Sequence, residues 1–421
     1  MKRTLLSVLL AALALMRVAA QPFPDGSTVL FDTQSSPAPY RIPAIVALPG
    51  GTLLALSDYR PCGADIGYGH VDIVGRRSDD NGRTWSDIFP VAAGDGRDDS
   101  DTCGYGDAAA VVDRKSGRIL VLCCTARKGA TCWTAAQRGA IVRSADGGRT
   151  WDKPVDIKDA VMRLLPADRV NYFAGSGKLC QSRRVKVGRY YRVYAAIWTT
   201  NGRGGDGLTD YVIYTDDFGN TWHLLGARDV RPVPGGDEPK VEELPDGSVV
   251  LNGRKPHGRY YNIFRYTDVR RGTGNWGEAV ASDRCTGGIA YGRNSTNGEL
   301  LVVPVRRTSD NRHVRLALQS VPTGDGRDSV SIYFKEVSAA DCASPERFAS
   351  HWSAPFLITP AASAYSTMAL QADGRIAFFY EDGARGVWYD MVYLPLALEQ
   401  ITRGAYRPVR RKAGKTARAT R

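Results

Sequence analysis

Three common features are missing from this sequence. After the first twenty residues no apolar stretch is long enough to cross a bilayer, so no membrane span is expected. No Pro- or Gly-rich linker divides residues 22–400, which argues against separate domains. No convincing long amphipathic helix is present. Instead, short alternating runs of Val, Ile, Leu and Tyr, such as 118–122 and 376–380, lie between Gly, Pro, Asp and Asn turns. This pattern predicts one all-β domain.

Metal-binding patterns are also absent. The eight cysteines have no metal-ligand spacing, and no cluster of His, Cys and carboxylate residues stands out, so neither a metal nor another cofactor is expected. In an exported protein the cysteines allow some disulfides, whose connectivity the sequence leaves open. A domain of this size can bury a sufficient core without them.

The positive charge lies mainly at the two ends. Of the formal +12, eight charges belong to residues 401–421 and three to Lys2, Arg3 and Arg17, which leaves +1 for residues 21–400. A nearly neutral central region does not favour nucleic-acid binding, and no nucleic-acid partner is expected. We interpret residues 401–421 as a basic, disordered tail.

The first twenty residues are typical of a signal peptide. Two basic residues precede an apolar run over 5–16, and small residues at 18–20 form a plausible cleavage site. The mature chain is therefore expected to be exported, either to the periplasm or as a secreted protein.

An eight-residue pattern, Ser-x-Asp-x-Gly-x-Thr-Trp, recurs along the chain. It occupies 78–85 and 144–151, and a third copy at 215–222 begins with Thr instead of Ser. Asp and hydroxyl side chains cap turn N–H groups, Gly permits positive φ, and Trp packs between neighbouring sheets. Repetition at roughly 60–70 residues is typical of propeller blades, so residues 21–400 are predicted to form a β-propeller of about six blades.

A second motif, Tyr40-Arg41-Ile42-Pro43, precedes these repeats. Arg-Ile-Pro followed by several such repeats resembles the bacterial exo-α-sialidases (neuraminidases) of the glycoside hydrolase family 33 type, over roughly residues 38–400. The resemblance implies an all-β, six-bladed β-propeller that releases terminal sialic acid from glycoproteins, glycolipids or oligosaccharides. It implies no cofactor, and a monomer is expected.

Sialic acid carries a carboxylate at its anomeric carbon, and the planar fork of arginine matches that group. By resemblance, three arginines from separate blades bind it. Arg41 and Arg254 match the first two, and Arg312, which opens an alternating stretch, is the best match for the third. By the same resemblance Glu381 holds the first arginine in place. The rivals for the last two places are Arg259, Arg307 and Arg327.

The carboxylate also favours a neutral nucleophile, and sialidases use tyrosine for this reason. Tyr365 matches the nucleophile of the family, and Glu238 is its expected base. Residues 245–247 read as a hairpin turn, which makes Glu238 and Arg254 cross-strand neighbours. Two further acidic residues, Glu242 and Glu243, lie nearer the turn and are expected to be solvated.

The general acid is expected in a Gly-rich loop after the first arginine. Asp65 matches this role, with Asp58 and Asp72 as local competitors. Arg60 is expected to line the pocket, and Asp107 to contact the substituent on carbon five of the sugar.

The segment from Val321 to Phe348 departs from the family pattern, because it replaces a further repeat and lengthens the spacing to Tyr365. A non-catalytic binding propeller would have lost Tyr365, Glu238 or Asp65, and a glycosidase for neutral sugars would not need the arginines. A trans-sialidase, including an intramolecular one, stays open, because acceptor preference depends on the loops around the pocket.

Overall fold

The computed structural model describes residues 23–203, 207–293, 296–386 and 388–409. The predicted signal peptide and residues 410–421 lie outside this range. The described residues form six antiparallel sheets, arranged as the blades of a β-propeller. The prediction of a six-bladed all-β fold is confirmed.

The first three blades follow the chain order. Blade 1 contains Tyr40–Ala47, Leu53–Tyr59, Asp72–Ser78 and Phe89–Ala92. Blade 2 contains Gly104–Val112, Ile119–Ala126, Arg138–Ser144 and Val155–Asp156, and Gly177–Lys178 joins it in parallel. Blade 3 contains Asn171–Ala174, Cys180–Val187, Tyr190–Thr200, Thr209–Thr215, His223–Leu224 and Val233–Pro234.

Blade 4 contains Asp237–Glu243, Val249–Lys255, Gly258–Asp268, Thr273–Trp276 and Val280–Ala281. Blade 5 contains Glu299–Arg307, His313–Pro322, Val330–Glu336 and Phe356–Leu357. Blade 6 contains Ser366–Leu370, Ile376–Asp382 and Asp390–Leu396. The α-helices are short, at Lys158–Met162, Ala339–Ala343, Pro345–Ala349 and Leu398–Ile401, and 3₁₀ turns lie at Pro49–Gly51 and Ser282–Arg284.

The ring closes by pairing the two ends of the domain. Strand Thr28–Phe31 precedes blade 1 in sequence but pairs antiparallel with Asp390–Leu396, as the outer strand of blade 6. The core lies between the faces of neighbouring blades. Leu120 of blade 2 and Ile213 of blade 3 share one buried cluster, and Leu318 of blade 5 and Phe378 of blade 6 share another. Closure therefore buries apolar surface around the whole ring.

The three repeat copies form the same turn, each after the third main strand of its blade. In the first copy Gly82 N donates to Ser78 Oγ over 2.8 Å, and Thr84 N donates to Asp80 Oδ1 over 2.9 Å. The copies in blades 2 and 3 have the same bonds. Trp85 packs edge-on against Tyr393 of blade 6, with ring centroids 5.2 Å apart. The repeats thus hold blade corners and neighbouring blades together.

The C-terminal boundary predicted at residue 400 is wrong. Ile401 is buried, and strand Tyr406–Pro408 pairs with Val305–Arg307 of blade 5. Residues 401–409 therefore belong to the folded domain, because their apolar and backbone groups find partners on blade 5. All eight cysteines lie in the described part of the chain, and none of them forms a disulfide there. No helix among the described residues is both long and apolar enough to span a membrane.

Candidate active site

Most of the candidate site residues lie at one end of the ring. The first strands of neighbouring blades contact each other around the axis, and each of these strands begins at this end. Arg41 and Glu238 are the second residues of the first strands of blades 1 and 4, and Tyr365 directly precedes the first strand of blade 6. Asp107 lies near the start of blade 2. Chain direction alone therefore brings residues from four blades to one opening.

Three of these first strands begin with a β-bulge. The register shifts between Arg41 and Ala44, between Gly106 and Ala109, and between Asp237 and Lys240. At each shift a non-glycine residue has positive φ: 57° at Ile42, 57° at Asp107 and 38° at Glu238. A bulge bends the strand and redirects a side chain, and such strain is concentrated at functional sites. The bulges turn side chains of these strands towards the opening.

Tyr365, Glu238 and Arg254 form a connected group. The Tyr365 hydroxyl donates a short hydrogen bond to Glu238 Oε1, and Arg254 Nη1 lies 2.8 Å from Glu238 Oε2. The bulge changes the predicted pairing by one residue, so that Arg254 lies directly opposite Asp237. The predicted contact between Glu238 and Arg254 is nevertheless present.

The charges in this group favour an ionised glutamate beside a neutral phenol. Burial raises the pKa of the Glu238 carboxyl, but the Arg254 charge, the Tyr365 hydrogen bond and Arg327 outweigh burial and keep it below its usual value. Burial, reinforced by the Glu238 charge, raises the pKa of the Tyr365 hydroxyl well above 10. Glu238 is therefore an ionised hydrogen-bond acceptor for the proton that Tyr365 holds.

Glu381 organises the opposite side of the opening. Its fully buried carboxylate accepts from Arg41 Nε over 2.7 Å and from Arg41 Nη2 over 3.2 Å. It also accepts from the backbone N–H groups of Ile42 over 2.9 Å and Tyr365 over 3.0 Å. The predicted pairing of Arg41 with Glu381 is thus present, and it also ties the first bulge to Tyr365.

The structure corrects the prediction for the third carboxylate-binding arginine. Arg312 lies in the turn between the first and second strands of blade 5, which is the end remote from the opening, and its side chain is 77% exposed beside Asp310. Arg327 lies in the next loop, at the opening, with Cζ 5.7 Å from the centroid of the Tyr365 ring. The Ser363 backbone N–H donates to the Arg327 carbonyl over 2.7 Å. Arg327, and not Arg312, therefore joins Arg41 and Arg254.

The other two rivals have structural partners. Arg259 is fully buried and donates to Asn252 and to the carbonyls of Thr296 and Asn297. Arg307 pairs with Glu336 at the remote end of blade 5. Neither guanidinium is available to a ligand in the opening.

A carboxylate cluster lies on blades 1 and 2, beside the three arginines of the opening. Arg60 Nη2 lies 2.9 Å from Asp58 Oδ2 and 2.8 Å from Asp65 Oδ1, and Asp107 N donates to Asp58 Oδ1 over 3.0 Å. Asp58 is fully buried with both oxygens bonded, whereas the Asp65 side chain is 58% exposed. Asp65 is therefore the most exposed carboxyl of this cluster. The third candidate, Asp72, accepts from the Gly94 backbone and bonds to His70, which is a structural role.

Burial shifts the protonation of this cluster. It raises the pKa of Asp58 to about 6, against the opposing charge of Arg60. It also raises the pKa of Asp107 well above the usual range, and the neighbouring Asp58 and Asp65 charges act in the same direction. Asp107 Oδ2 is buried without a hydrogen-bond partner among the described residues. This carboxyl can therefore offer an O–H group to a bound ligand.

The prediction that Glu242 and Glu243 are solvated is wrong. Both are buried on the first strand of blade 4, close to the propeller axis. Glu242 pairs with Lys178 over 2.9 Å, and Glu243 accepts from the Ser182 hydroxyl and, over 2.7 Å, from Arg183 N. They tie blade 4 to blades 2 and 3, because a first strand borders the centre of the ring along its whole length.

Sequence reasoning missed two residues near the opening. The Tyr389 ring lies under Arg41, with Cζ 5.1 Å from its centroid. Asp237 pairs with Arg254 over 3.7 Å, and burial raises its pKa to about 6. The acidic pair at 237–238 was a usable signal for Asp237, whereas no local pattern marked Tyr389.

The chain is similar in sequence to known sialidases. No family model matches the chain. It is 29% identical to a sialidase of Micromonospora viridifaciens over 88% of this chain and 55% of that protein. It is 30% identical to a sialidase of Paraclostridium sordellii over 52% of this chain and 54% of that protein. The chain therefore spans little more than half the length of these relatives.

The fold comparison points the same way. A Hadza microbial sialidase superposes with a TM-score of 0.68 at 22% identity, covering 86% of this chain and 66% of that one. At this identity the likeness supports the fold alone. The chain is thus similar in sequence to bacterial sialidases and similar in fold to a microbial sialidase.

Proposed function

We propose that the protein is an exo-α-sialidase that releases terminal sialic acid from glycoconjugates with retention of configuration. The observation that carries this proposal is the hydrogen bond from Tyr365 to Glu238, with the guanidinium groups of Arg41, Arg254 and Arg327 around it. Three fixed positive charges beside a paired tyrosine fit a substrate that carries a carboxylate at its reacting carbon.

In the first step the arginines hold the carboxylate, and the Tyr365 oxygen attacks the anomeric carbon. Glu238 accepts the phenol proton, the glycosidic bond breaks, and Asp65, which enters this step in its protonated form, gives its proton to the departing oxygen. A neutral phenol approaches the anionic substrate without the repulsion that a carboxylate nucleophile would meet. The ionised Glu238 is essential, because the pKa of the buried Tyr365 hydroxyl is high.

In the second step Asp65 takes a proton from water, and the water oxygen attacks the same carbon. The bond to Tyr365 breaks, and Glu238 returns the proton to the phenolate. Two displacements retain the α-configuration. The exposed position of Asp65, held by Arg60, suits contact with both the leaving group and water.

The remaining polar group has a role in substrate recognition. The unpartnered Oδ2 of Asp107 is suited to a polar substituent on carbon five. From the N-terminal sequence we also propose that the protein is exported to the periplasm or secreted. We further propose that it acts as a monomer. Sialylated glycoproteins, glycolipids or oligosaccharides are its proposed substrates.

The test is incubation with α2,3- and α2,6-linked sialyllactose, followed by NMR of the released sugar, with the Tyr365→Phe variant as control. The α-anomer of free sialic acid should appear first and then mutarotate. The β-anomer appearing first would refute retention. A 2,7-anhydro product would instead support an intramolecular trans-sialidase, and the absence of any product would support a non-catalytic binding protein.

A further inference from the structure

Asp210 is a buried carboxyl that the proposed mechanism does not use. It is the second residue of strand Thr209–Thr215 in blade 3, and it is fully buried. Neither carboxylate oxygen has a hydrogen-bond partner among the described residues. A buried polar group without a partner is costly, so its retention calls for a physical reason.

Asp210 Oδ2 contacts two glycines that adjoin the site. A Cβ built on Gly236 would lie 2.0 Å from this oxygen, and a Cβ on Gly253 would lie 2.3 Å from it. Gly236 lies two residues before Glu238, and Gly253 directly precedes Arg254. The Asp210 side chain therefore fills the space that the two missing side chains leave behind the Glu238–Arg254 pair.

The backbone around Asp210 supports the same segment. Asp210 pairs with Val233, and Thr209 pairs with Pro234, in antiparallel register. Gly235 N donates to the Leu208 carbonyl over 2.9 Å. The segment that leads into the Glu238 bulge is thus held from blade 3 by its main chain and by one side chain.

The charges that face Asp210 are mostly negative. Asp237 and Glu238 approach from the first strand of blade 4, and Arg259 approaches from its third strand. Burial first, and then the two acids, raise the pKa of Asp210 well above its usual range, against the opposing charge of Arg259. These effects favour the uncharged form of the carboxyl, which packs against the two glycines.

We propose that Asp210 is a positioning residue for the reaction, whose carboxyl is wedged against Gly236 and Gly253 and so fixes the bulge that carries Glu238. The inference rests on the proposed function. Removing the wedge lets the Gly236 segment relax and moves Glu238 relative to Tyr365. Ionising Asp210 adds a third negative charge beside Asp237 and Glu238 and disturbs the same geometry.

The test compares Asp210→Ala with Asp210→Asn in sialyllactose hydrolysis across pH, with thermal unfolding measured in parallel. Asp210→Ala should lose about 10- to 100-fold in kcat, because a displacement of about 1 Å has that effect on rate. Asp210→Asn keeps the shape without an ionisable proton. It should restore kcat close to the wild-type value and move the alkaline limb of kcat/KM to higher pH.

Asp113→Asn is the matched control, because Asp113 is a buried carboxylate at the remote end of blade 2 with Ser116 and Gln181 as partners. It should leave the pH profile unchanged. Wild-type kcat in a folded Asp210→Ala protein would overturn the inference, and so would an unchanged alkaline limb in Asp210→Asn. An unchanged alkaline limb in Asp210→Asn would overturn the inference even if Asp210→Ala does not fold. If the wild-type protein releases no sialic acid, the proposed function itself fails, which is a separate outcome.

Discussion

Replacing Arg327 by alanine should reduce kcat/KM for sialyllactose by about 10- to 150-fold. Its guanidinium lies over the Tyr365 ring, with Cζ 5.7 Å from the centroid, where it can bind the substrate carboxylate. A hydrogen bond to a charged group contributes about 1.5–3 kcal/mol. Each 1.36 kcal/mol of lost transition-state stabilisation costs about tenfold in rate, which gives the predicted range. The substitution leaves the Arg327 carbonyl free to accept from Ser363 N, so the fold should persist.

The assay is initial-rate hydrolysis of α2,3-sialyllactose, with released sialic acid quantified by chromatography. Arg312→Ala is the control on the same blade. The Arg312 side chain is 77% exposed at the remote end, so its loss should leave kcat/KM unchanged within error. A large loss in Arg312→Ala together with wild-type activity in Arg327→Ala would refute the assignment. Arg327→Lys, which keeps the charge but loses the planar fork, should fall between wild type and Arg327→Ala.

Three further outcomes follow from the same contacts. Tyr365→Phe should lower kcat by about 10³-fold or more, as for loss of a nucleophile, and wild-type turnover would contradict its role. Glu381→Gln should lower the free energy of unfolding by up to about 3–5 kcal/mol, because it removes the buried charge that faces the partly buried Arg41 guanidinium; unchanged urea denaturation would disprove this. The pKa of Glu238 lies below its usual value, so its base form persists until the pH falls through that lowered pKa. Removing the nearby charge in Arg254→Ala should therefore move the acidic limb of kcat to higher pH, and an unmoved limb would exclude this coupling.

The sequence was sufficient for residues that local motifs mark. Arg41, Glu238, Arg254 and Tyr365 all lie at the opening. Each stands at the start of a first strand or at the end of a second strand, and these positions share one end of the ring. The resemblance to the sialidases identified these residues, and the hairpin turn at 245–247 predicted that Glu238 and Arg254 would be neighbours.

The wrong prediction of Arg312 as the third arginine has a topological cause. Successive turns of an antiparallel blade alternate between its two ends. Arg312 follows the first strand of blade 5 and Arg327 follows the second, so they face opposite sides of the propeller. Because the longer segment after Val321 obscured the strand count, alternation along Arg312–Leu318 was a misleading guide.

Local sequence patterns also failed to predict which acidic side chains are buried. Glu242 and Glu243 look like a solvated acidic pair beside a turn, yet they contact Lys178, Ser182 and Arg183 near the axis. Their partners lie about sixty residues earlier in the chain, on two other blades. Such pairings depend on how the blades pack around the ring, and the periodicity of the sequence does not show which blades meet.

By itself the sequence determined the propeller, because turn chemistry and strand alternation are local properties of the chain, and its resemblance to the sialidases identified most of the residues at the opening. Only the tertiary structure decided which arginine joins Arg41 and Arg254 at the opening, which carboxylates are buried, and where bulges redirect the first strands. It also revealed the contact of Asp210 with Gly236 and Gly253, which joins two blades behind Glu238. These features depend on the closure of the ring, which brings together residues that the chain keeps far apart.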